Sequence, residues 1–266
     1  MTTQKIPHDI IGKIAIIKFQ RTVKQKEKLA YSKEFLKNNP SIKTVVEKTE
    51  KFKGRLRTQD TKYITGEKTK TTLHKENNCI FKLDIDETYF SPRLSNQRKI
   101  ISEEIAKKVT KTKNKVIVMF AGVAPYPIAI AKKIKEKNKL IKAEIISNEL
   151  NRKANIFAEQ NIKLNHLESY VRVIPGDSNK LPDKMSGFKA DIIVMPRPNL
   201  KDTFLKAALK LSKKGTLIYY HGFGEEQAVL DEIKRDTDNK IGKISIEKAG
   251  EIAPYKFRWL AKFVVK

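Results

Sequence analysis

The sequence lacks nearly everything that staples a chain from outside its own core. One cysteine in 266 residues excludes a disulfide scaffold within the chain and a cysteine-based zinc site. The four histidines, His8, His74, His166 and His221, share no metal-ligand spacing, so no metal is expected. Acidic residues are scarce: 30 Asp and Glu face 56 Lys and Arg, a formal net charge of +26. The longest apolar stretch, 116–131, is broken by Gly122, Pro125 and Pro127. It falls short of the roughly 20 residues of a membrane-spanning helix, so no membrane is expected. The first nine residues are polar, without the apolar run of a secretory signal, and the expectation is a soluble, cytoplasmic protein. Neither a Gly-x-Ser-x-Gly elbow nor a Walker loop occurs, which leaves serine hydrolase and P-loop chemistry without support.

What is present suffices for a core. A hydrophobic fraction of 39% beside 32% charged residues excludes full disorder. A charge of this size repels itself in the folded state. A polyanionic partner explains it best, nucleic acid ahead of an anionic membrane; a lysine-rich proteome or a hot habitat is the alternative. The excess is concentrated early, with 14 basic and 4 acidic residues between positions 11 and 57. Lys24, Lys26, Lys28, Lys51, Lys53, Arg55 and Arg57 are candidates for salt-sensitive phosphate contacts.

Residues 1–90 read as a small α+β module. A strand is expected over 12–19, a helix over 21–38 ending at Asn38-Asn39-Pro40, and a strand over 41–46. Further short strands follow Gly54 and Gly66 and continue through 73–83 and Tyr89-Phe90. From 91 to 266 the rhythm alternates. A helix over 96–110, with Ile100, Ile101, Ile105 and Val109 on one face, precedes strands at 115–120, 144–148, 170–174, 191–195 and 215–221. Helices are expected from 127 and over 152–164, 201–212 and 225–235, with strands 243–248 and 256–265 closing the chain. This alternation predicts an α/β fold: a doubly wound, mostly parallel sheet with an antiparallel edge hairpin.

Ligands of such sheets sit beyond the carboxyl ends of the strands. The first strand runs into Phe120-Ala121-Gly122-Val123, a small-residue turn that lets backbone approach a ligand but lacks the glycines of a dinucleotide fingerprint. Glu149 ends the second strand, where an acid can accept from both hydroxyls of a ribose. Gly176-Asp177 ends the third, placed to receive an exocyclic amine. An adenosyl group without a pyrophosphate fits, and S-adenosylmethionine is the expected ligand. The plainer alternative is that Glu149 and Asp177 cap helices or turns. The fourth strand ends in Met195-Pro196-Arg197-Pro198, whose prolines stiffen the turn and leave carbonyls without local donors. A flat base can be held there; alternatively Pro198 opens a helix. Cys79, Phe257 and Trp259 read as core, and His221 as structural or pocket-lining.

Several segments, in this order, carry a resemblance over nearly the whole chain: Gly66-Glu67-Lys68-Thr69, His74-Lys75-Glu76-Asn77, Tyr89-Phe90-Ser91-Pro92-Arg93-Leu94, Met119-Phe120-Ala121-Gly122-Val123, Glu149-Leu150-Asn151, Asn161-Ile162-Lys163-Leu164-Asn165 and Ala253-Pro254-Tyr255. The chain resembles the archaeal and eukaryotic tRNA (guanine-37-N1) methyltransferases, relatives of the wybutosine-pathway aminocarboxypropyl transferases. The resemblance implies a Rossmann-like class I methyltransferase domain over 91–266, preceded by the RNA-contacting module 1–90. It implies methyl transfer from S-adenosylmethionine to N1 of guanine 37 in a tRNA anticodon stem-loop, by a monomer. On that reading Arg98, Phe120, Ala121, Gly122, Glu149, Leu150, Asp177, Ser178 and Pro196 bind the cofactor. Arg57, with Arg55 nearly as well placed, steadies guanine O6, and Pro198 contacts the target base.

Three departures stand out. The fourth-strand turn reads Met-Pro-Arg-Pro where Asn-Leu-Pro or Met-Pro-Leu-Pro is frequent, so Arg197 adds charge that can help hold a phosphate-rich substrate. The additional N-terminal domain of many members has no counterpart in the sequence, which matches the aminocarboxypropyl relatives. Most consequentially, Gln97 occupies the position of the general-base glutamate. An amide cannot take the guanine N1 proton, and loss of a general base costs about 10²–10⁴-fold. Glu103 or Glu104 on the same helix is a candidate substitute; slow turnover, aminocarboxypropyl transfer and non-catalytic RNA binding are the alternatives. Pro92-Arg93-Leu94 and the two-proline turn favour methyl transfer over aminocarboxypropyl transfer.

Overall fold

A computed structural model describes residues 6–49, 54–110, 114–253 and 255–266. The chain divides into two compact units, Met1–Ser95 and Asn96–Lys266.

In the first unit β1 (His8–Ile11) and β2 (Ile14–Ile17) form a hairpin where one strand was expected. Gly12 in its turn has φ of 56°, and a Cβ there would lie 2.3 Å from the Leu73 carbonyl oxygen. Helix α1 (Gln25–Asn38) crosses over to β3 (Thr44–Lys48), parallel to β2, and β4 (Thr61–Gly66) completes the sheet in the order β1-β2-β3-β4. The helix opens with Lys24 N–H donating to Glu27 Oε2 at 2.8 Å and stops at Asn39-Pro40. Leu29 and Phe35 pack it on Ala15, Ile17, Val45 and Ile64. A second hairpin, β5 (Thr71–Glu76) and β6 (Cys79–Asp84), turns on Asn77-Asn78, both left-handed at φ of 48° and 60°, as a two-residue hairpin requires. Cys79 is a buried thiol. Tyr89-Phe90 is not a strand: Phe90 turns in against His74 and Phe81, with ring centroids 4.9 and 5.9 Å away. Asn77 Nδ2 donates to the Ser95 carbonyl at 2.9 Å. These contacts keep 91–95 with the first unit, so the division falls after Ser95 and not after residue 90.

The second unit opens with α2 (Ser95–Lys108) and is built on a seven-stranded sheet. Its strands are β7 (Lys115–Met119), β8 (Glu144–Glu149), β9 (Val171–Pro175), β10 (Ala190–Met195), β11 (Ser212–Gly224), β12 (Ser245–Ala253) and β13 (Lys256–Val264), in the order β12-β13-β11-β10-β7-β8-β9. The strands β7 to β11 are mutually parallel; β13 and β12 add the antiparallel edge. Val116-Ile117-Val118, Ile145-Ile146 and Ile192-Ile193-Val194 are buried on both faces, as continuous β-branched runs in a parallel sheet should be. Helices α3 (Pro125–Lys137), α4 (Arg152–Leu164), α5 (Leu181–Lys184), α6 (Leu205–Lys210) and α7 (Glu226–Asp236) cover the sheet. The chain winds outward from β7 to β9 and returns at β10 on the other side of β7, so the order reverses between β7 and β10.

Two expectations change. Ile101, Ile105 and Val109 share the buried stripe of α2, but Ile100, one residue off it, is 43% exposed. The helix expected over 201–212 contracts to α6, because 196–204 is held in an irregular turn. Among the described residues, no helix is long and apolar enough to cross a membrane, and no group of three His, Cys, Asp or Glu can hold a metal ion.

Candidate cofactor and base pocket

The tips of β7, β8 and β9 are bound to one another by a residue the sequence reading passed over. Asn148, fully buried one residue before the end of β8, donates from Nδ2 to the carbonyls of Ile174 and Gly176 at 2.9 and 3.1 Å. Its Oδ1 accepts from Ser178 Oγ at 2.7 Å, and its backbone carbonyl accepts from Ala121 N–H at 2.9 Å. One amide thus fixes the turns after β7 and β9 against β8. Ser178 serves this network through its hydroxyl.

The turn after β7 is conformationally demanding. Phe120, Gly122 and Ala124 all have positive φ, at 58°, 56° and 67°. A phenylalanine and an alanine in the left-handed region cost free energy, and such strain persists only where its surroundings enforce it. The surroundings are visible: Asn161 Nδ2 of α4 holds the Val123 carbonyl at 3.0 Å, and Phe120 packs edge-on against Phe204 with centroids 4.8 Å apart. Gly122 N–H points at Glu149, donating to Oε2 at 2.9 Å.

Glu149 Oε1 accepts from Asn151 N–H at 2.8 Å. The carboxylate therefore does tie down turns, as its plainer reading held. A carboxylate offers about four acceptor sites, and the Asn151, Gly122 and Leu150 amides take three, so about one remains for a hydroxyl donor. Burial raises its pKa above the usual 4.5, against the pull of the Asn151, Gly122 and Leu150 amides. Leu150 beside it is half-buried. Asp177 caps the short turn of 3-10 helix at Ser178–Lys180, accepting from Asn179 N–H at 3.0 Å.

The fourth tip adjoins the first, since β10 pairs with β7 through Val194 and Val118. Pro196 and Pro198 are half-buried there, and Pro198 does not open a helix, because α6 begins at Leu205. Arg197 contradicts the expectation of a substrate-facing charge. Its side chain is 2% exposed and turned inward, with Nη2 on Glu232 Oε1 at 2.9 Å. Gln97, in the first turn of α2, accepts from the Tyr126 hydroxyl at 3.5 Å; Arg98 beside it is fully buried. Glu103 and Glu104 are engaged elsewhere: Glu104 with Lys262 and the Tyr219 hydroxyl at 2.9 and 3.3 Å, Glu103 beside Lys133 at 3.9 Å. Two helical turns, about 10 Å, separate Gln97 from Glu104, so neither acid stands in for a base at position 97. His221 is buried within β11, one residue past the end of its pairing with β10, edge-on to Tyr126, and its Nε2 has no partner. Burial, then the Arg258 and Arg197 charges, pushes its pKa down to about 3, so the ring is neutral.

In the first unit Arg57 has φ of 53° and lays its guanidinium over the Tyr89 ring, 4.3 Å from the centroid. Arg55, Lys24 and Lys26 are exposed. Lys28 is removed from the phosphate-contact candidates: its ammonium sits on Glu47 at 2.5 Å and over the Phe19 ring. Lys51 and Lys53 lie outside the described residues. Lys13, Lys43 and Lys82, which the sequence reading did not single out, line a cleft of about 220 Å³ with Thr69, Thr71 and Thr72.

Comparison with known proteins follows this geometry closely. A family model, the TRM5/TYW2 methyltransferase domain, matches residues 72–247. The chain belongs to this family. It is 34% identical over 252 residues to tRNA (guanine(37)-N(1))-methyltransferase Trm5b of Pyrococcus abyssi, covering 91% of this chain and 68% of that protein. It is 28% identical over 298 residues to tRNA (guanine(37)-N(1))/4-demethylwyosine(37)-methyltransferase Taw22 of Nanoarchaeum equitans, covering 94% of this chain and 97% of that one. A solved complex of aTrm5 with tRNALeu superposes with a TM-score of 0.82 at 25% identity, over 98% of this chain and 72% of that one. The second unit has the fold of a Rossmann-like class I methyltransferase.

Within this TRM5/TYW2 chain, the structure gathers Phe120, Ala121, Gly122, Glu149, Asp177 and Ser178 at three joined tips. Pro196 and Pro198 stand at the neighbouring tip, and Gln97 reaches Tyr126 just beyond the β7 turn. The residues that sequence reasoning missed are amides: Asn148 and Asn155, which holds the Glu149 and Asn151 carbonyls at 3.0 Å; Asn161 belongs to a resembling segment, but its role in holding the Val123 carbonyl was not assigned. Their one sequence signal is the crowding of asparagines between 148 and 165.

Proposed function

We propose that this chain transfers a methyl group from S-adenosylmethionine to N1 of guanine 37 in the tRNA anticodon loop. The observation that carries the reading is the Glu149 carboxylate, fixed by the Gly122, Asn151 and Leu150 amides at the joined tips of β7 and β8 with about one acceptor site left for a ribose hydroxyl. The residues fit an adenosyl group: Glu149 for the ribose hydroxyls, Asp177 and Ser178 beside adenine, and Phe120, Ala121, Gly122, Leu150 and Pro196 as walls, with Arg98, buried in α2, assigned to the cofactor by the family resemblance. When bound, S-adenosylmethionine supplies an electrophilic methyl group on a sulfonium sulfur. The names of the Pyrococcus and Nanoarchaeum relatives, and the tRNA in the aTrm5 complex, support tRNA as the acceptor.

The remaining roles belong to side chains. Pro198 offers a flat apolar face to the target base, which an unpaired loop nucleotide can reach by turning outward. Arg57, pre-oriented by Tyr89, steadies guanine O6. Gln97 Oε1 accepts a hydrogen bond from guanine N1–H and orients the ring; because an amide does not remove the proton at neutral pH, the proton leaves to solvent as N1 bonds the methyl carbon and the methyl–sulfur bond breaks, giving S-adenosylhomocysteine. Turnover is therefore expected to be slow for this chemistry.

The test uses unmodified tRNA transcript and S-adenosylmethionine labelled on either the methyl or the carboxyl carbon, followed by digestion and nucleoside mapping. Methyl label on N1 of guanine 37 is the expected result. Carboxyl label, or RNA binding without label, contradicts the proposal in favour of aminocarboxypropyl transfer or of a non-catalytic relative.

A further inference from the structure

We propose that Arg197 is a positioning residue for the base-binding turn, acting from behind it without touching the substrate. The inference rests on the function proposed above, because it assigns the cause of that turn's shape. Pro196 and Pro198 contribute no amide donors, which leaves the irregular turn 196–204 short of local partners for its carbonyls. The Arg197 side chain supplies the missing donors. Its Nη1 faces the carbonyls of Leu200, Pro198 and Asp202 at 3.0, 3.3 and 3.4 Å. Its Nη2 reaches Glu232 Oε1 at 2.9 Å, and the same oxygen accepts from the Tyr220 hydroxyl at 2.7 Å. The guanidinium lies over the Tyr220 and Phe223 rings, 5.0 and 5.5 Å from their centroids. A planar cation with several donors can meet carbonyls on one side and a carboxylate on another; an ammonium cannot do so in one plane. The far end of the turn is pinned independently, by Asn179 Nδ2 on Asp202 Oδ2 at 2.7 Å and Phe204 N–H on Asp202 Oδ1 at 2.8 Å. Arg197 thus holds the Pro198 end, and α7, through Glu232, carries it.

The consequence is a separable defect. Arg197→Met removes every one of these donors while keeping an unbranched apolar stem in place of the arginine's own. The expected result is a kcat for guanine methylation lower by about ten- to hundred-fold, the scale of small misplacements at a reacting centre. Affinity for S-adenosylhomocysteine, measured by calorimetry, stays within about twofold, because Glu149 and the β7–β9 tips are untouched and Pro196, the cofactor wall in this turn, is fixed by the end of β10 and not by the Arg197 donors. Arg197→Lys keeps the charge and is expected not to restore kcat. Wild-type kcat in Arg197→Met, full recovery in Arg197→Lys, or a proportional loss of nucleotide affinity and kcat would each overturn the inference. If Arg197→Met does not fold, Glu232→Gln decides: a lowered kcat at unchanged nucleotide affinity supports the inference, and an unchanged kcat contradicts it. Wild-type protein runs in parallel. Its failure to methylate tRNA would count against the proposed function, whereas an active wild type with an equally active Arg197→Met would count against this inference alone.

Discussion

Gln97 sets the expected speed of the reaction. It stands in the first turn of α2, in reach of the Tyr126 hydroxyl, and the two acids farther along that helix are occupied or distant. Gln97→Glu places a proton acceptor where the amide now only accepts a hydrogen bond, so kcat is expected to rise by about 10²-fold or more in a single-turnover methylation assay. Unchanged turnover would remove position 97 from the proton's route. Glu149 sets a second expectation, in pH. Its charged form accepts from ribose hydroxyls, and burial holds its pKa above 4.5. Nucleotide affinity should therefore weaken as pH falls through that raised value, sooner than for an ordinary carboxylate. In Glu149→Gln the affinity should be lower at neutral pH and flat across the same range; calorimetry at stepped pH reads both.

At the scale of elements, the sheet was legible because its strands announce themselves. Val116-Ile117-Val118 and Ile192-Ile193-Val194 are β-branched and unbroken, and α4 runs from Arg152 to Leu164 as expected because Asn151 caps it through Lys153 N–H at 2.9 Å. The strand tips could be located for the same reason, since a strand's end fixes its first loop residue. What could not be read was which groups the loops spend on themselves. Arg197 looked like surface charge because Glu232, its partner, is 35 positions away on α7. Asn148 reads as an ordinary strand residue because its partners, Ile174 near the end of β9 and Gly176 just past it, are 26 and 28 positions away. The β1–β2 turn was hidden because Gly12 is isolated between two apolar pairs. Asn161 carries the prediction that belongs here. Asn161→Ala leaves the Val123 carbonyl without its side-chain donor, and stability should fall by about 1–3 kcal/mol in urea titration. Nucleotide affinity should fall with it, because the strained turn of Phe120 to Ala124 loses its support; unaltered affinity would show that α4 does not brace that turn.

For the whole molecule, charge and acid sensitivity are the observables. With +26 charges, tRNA affinity should drop steeply with salt, on the order of 10³-fold between 50 and 200 mM if about six phosphates are met. A flat salt profile would tie the lysines to something other than RNA. Acid should erode the stability of the fold over two pH ranges. His221 is neutral in the fold at a pKa of about 3 against 6.5 when unfolded, so the unfolded chain binds more protons between those values. Its contribution is intact above pH 6.5 and is lost as pH falls below it, by about 2 kcal/mol between pH 7 and 5. His221→Phe should flatten that window in urea titrations. Asp191 and Asp236 act lower. Around Asp191, burial is outweighed by Lys213, the Lys115 amide and Asn114; around Asp236, Arg235 leads. Both pKa values lie below 3.8, and their stabilisation is lost only as pH falls through them.

The expectations that concern methyl transfer share one premise, that the joined strand tips clasp an adenosyl group through Glu149. Titration calorimetry with S-adenosylhomocysteine on wild-type protein and Glu149→Ala tests it directly. The account predicts one site per chain in the wild type and at least about tenfold weaker binding in the variant, the scale of losing a charged hydrogen-bond acceptor. No heat with the wild type, or equal affinity in the variant, would contradict it.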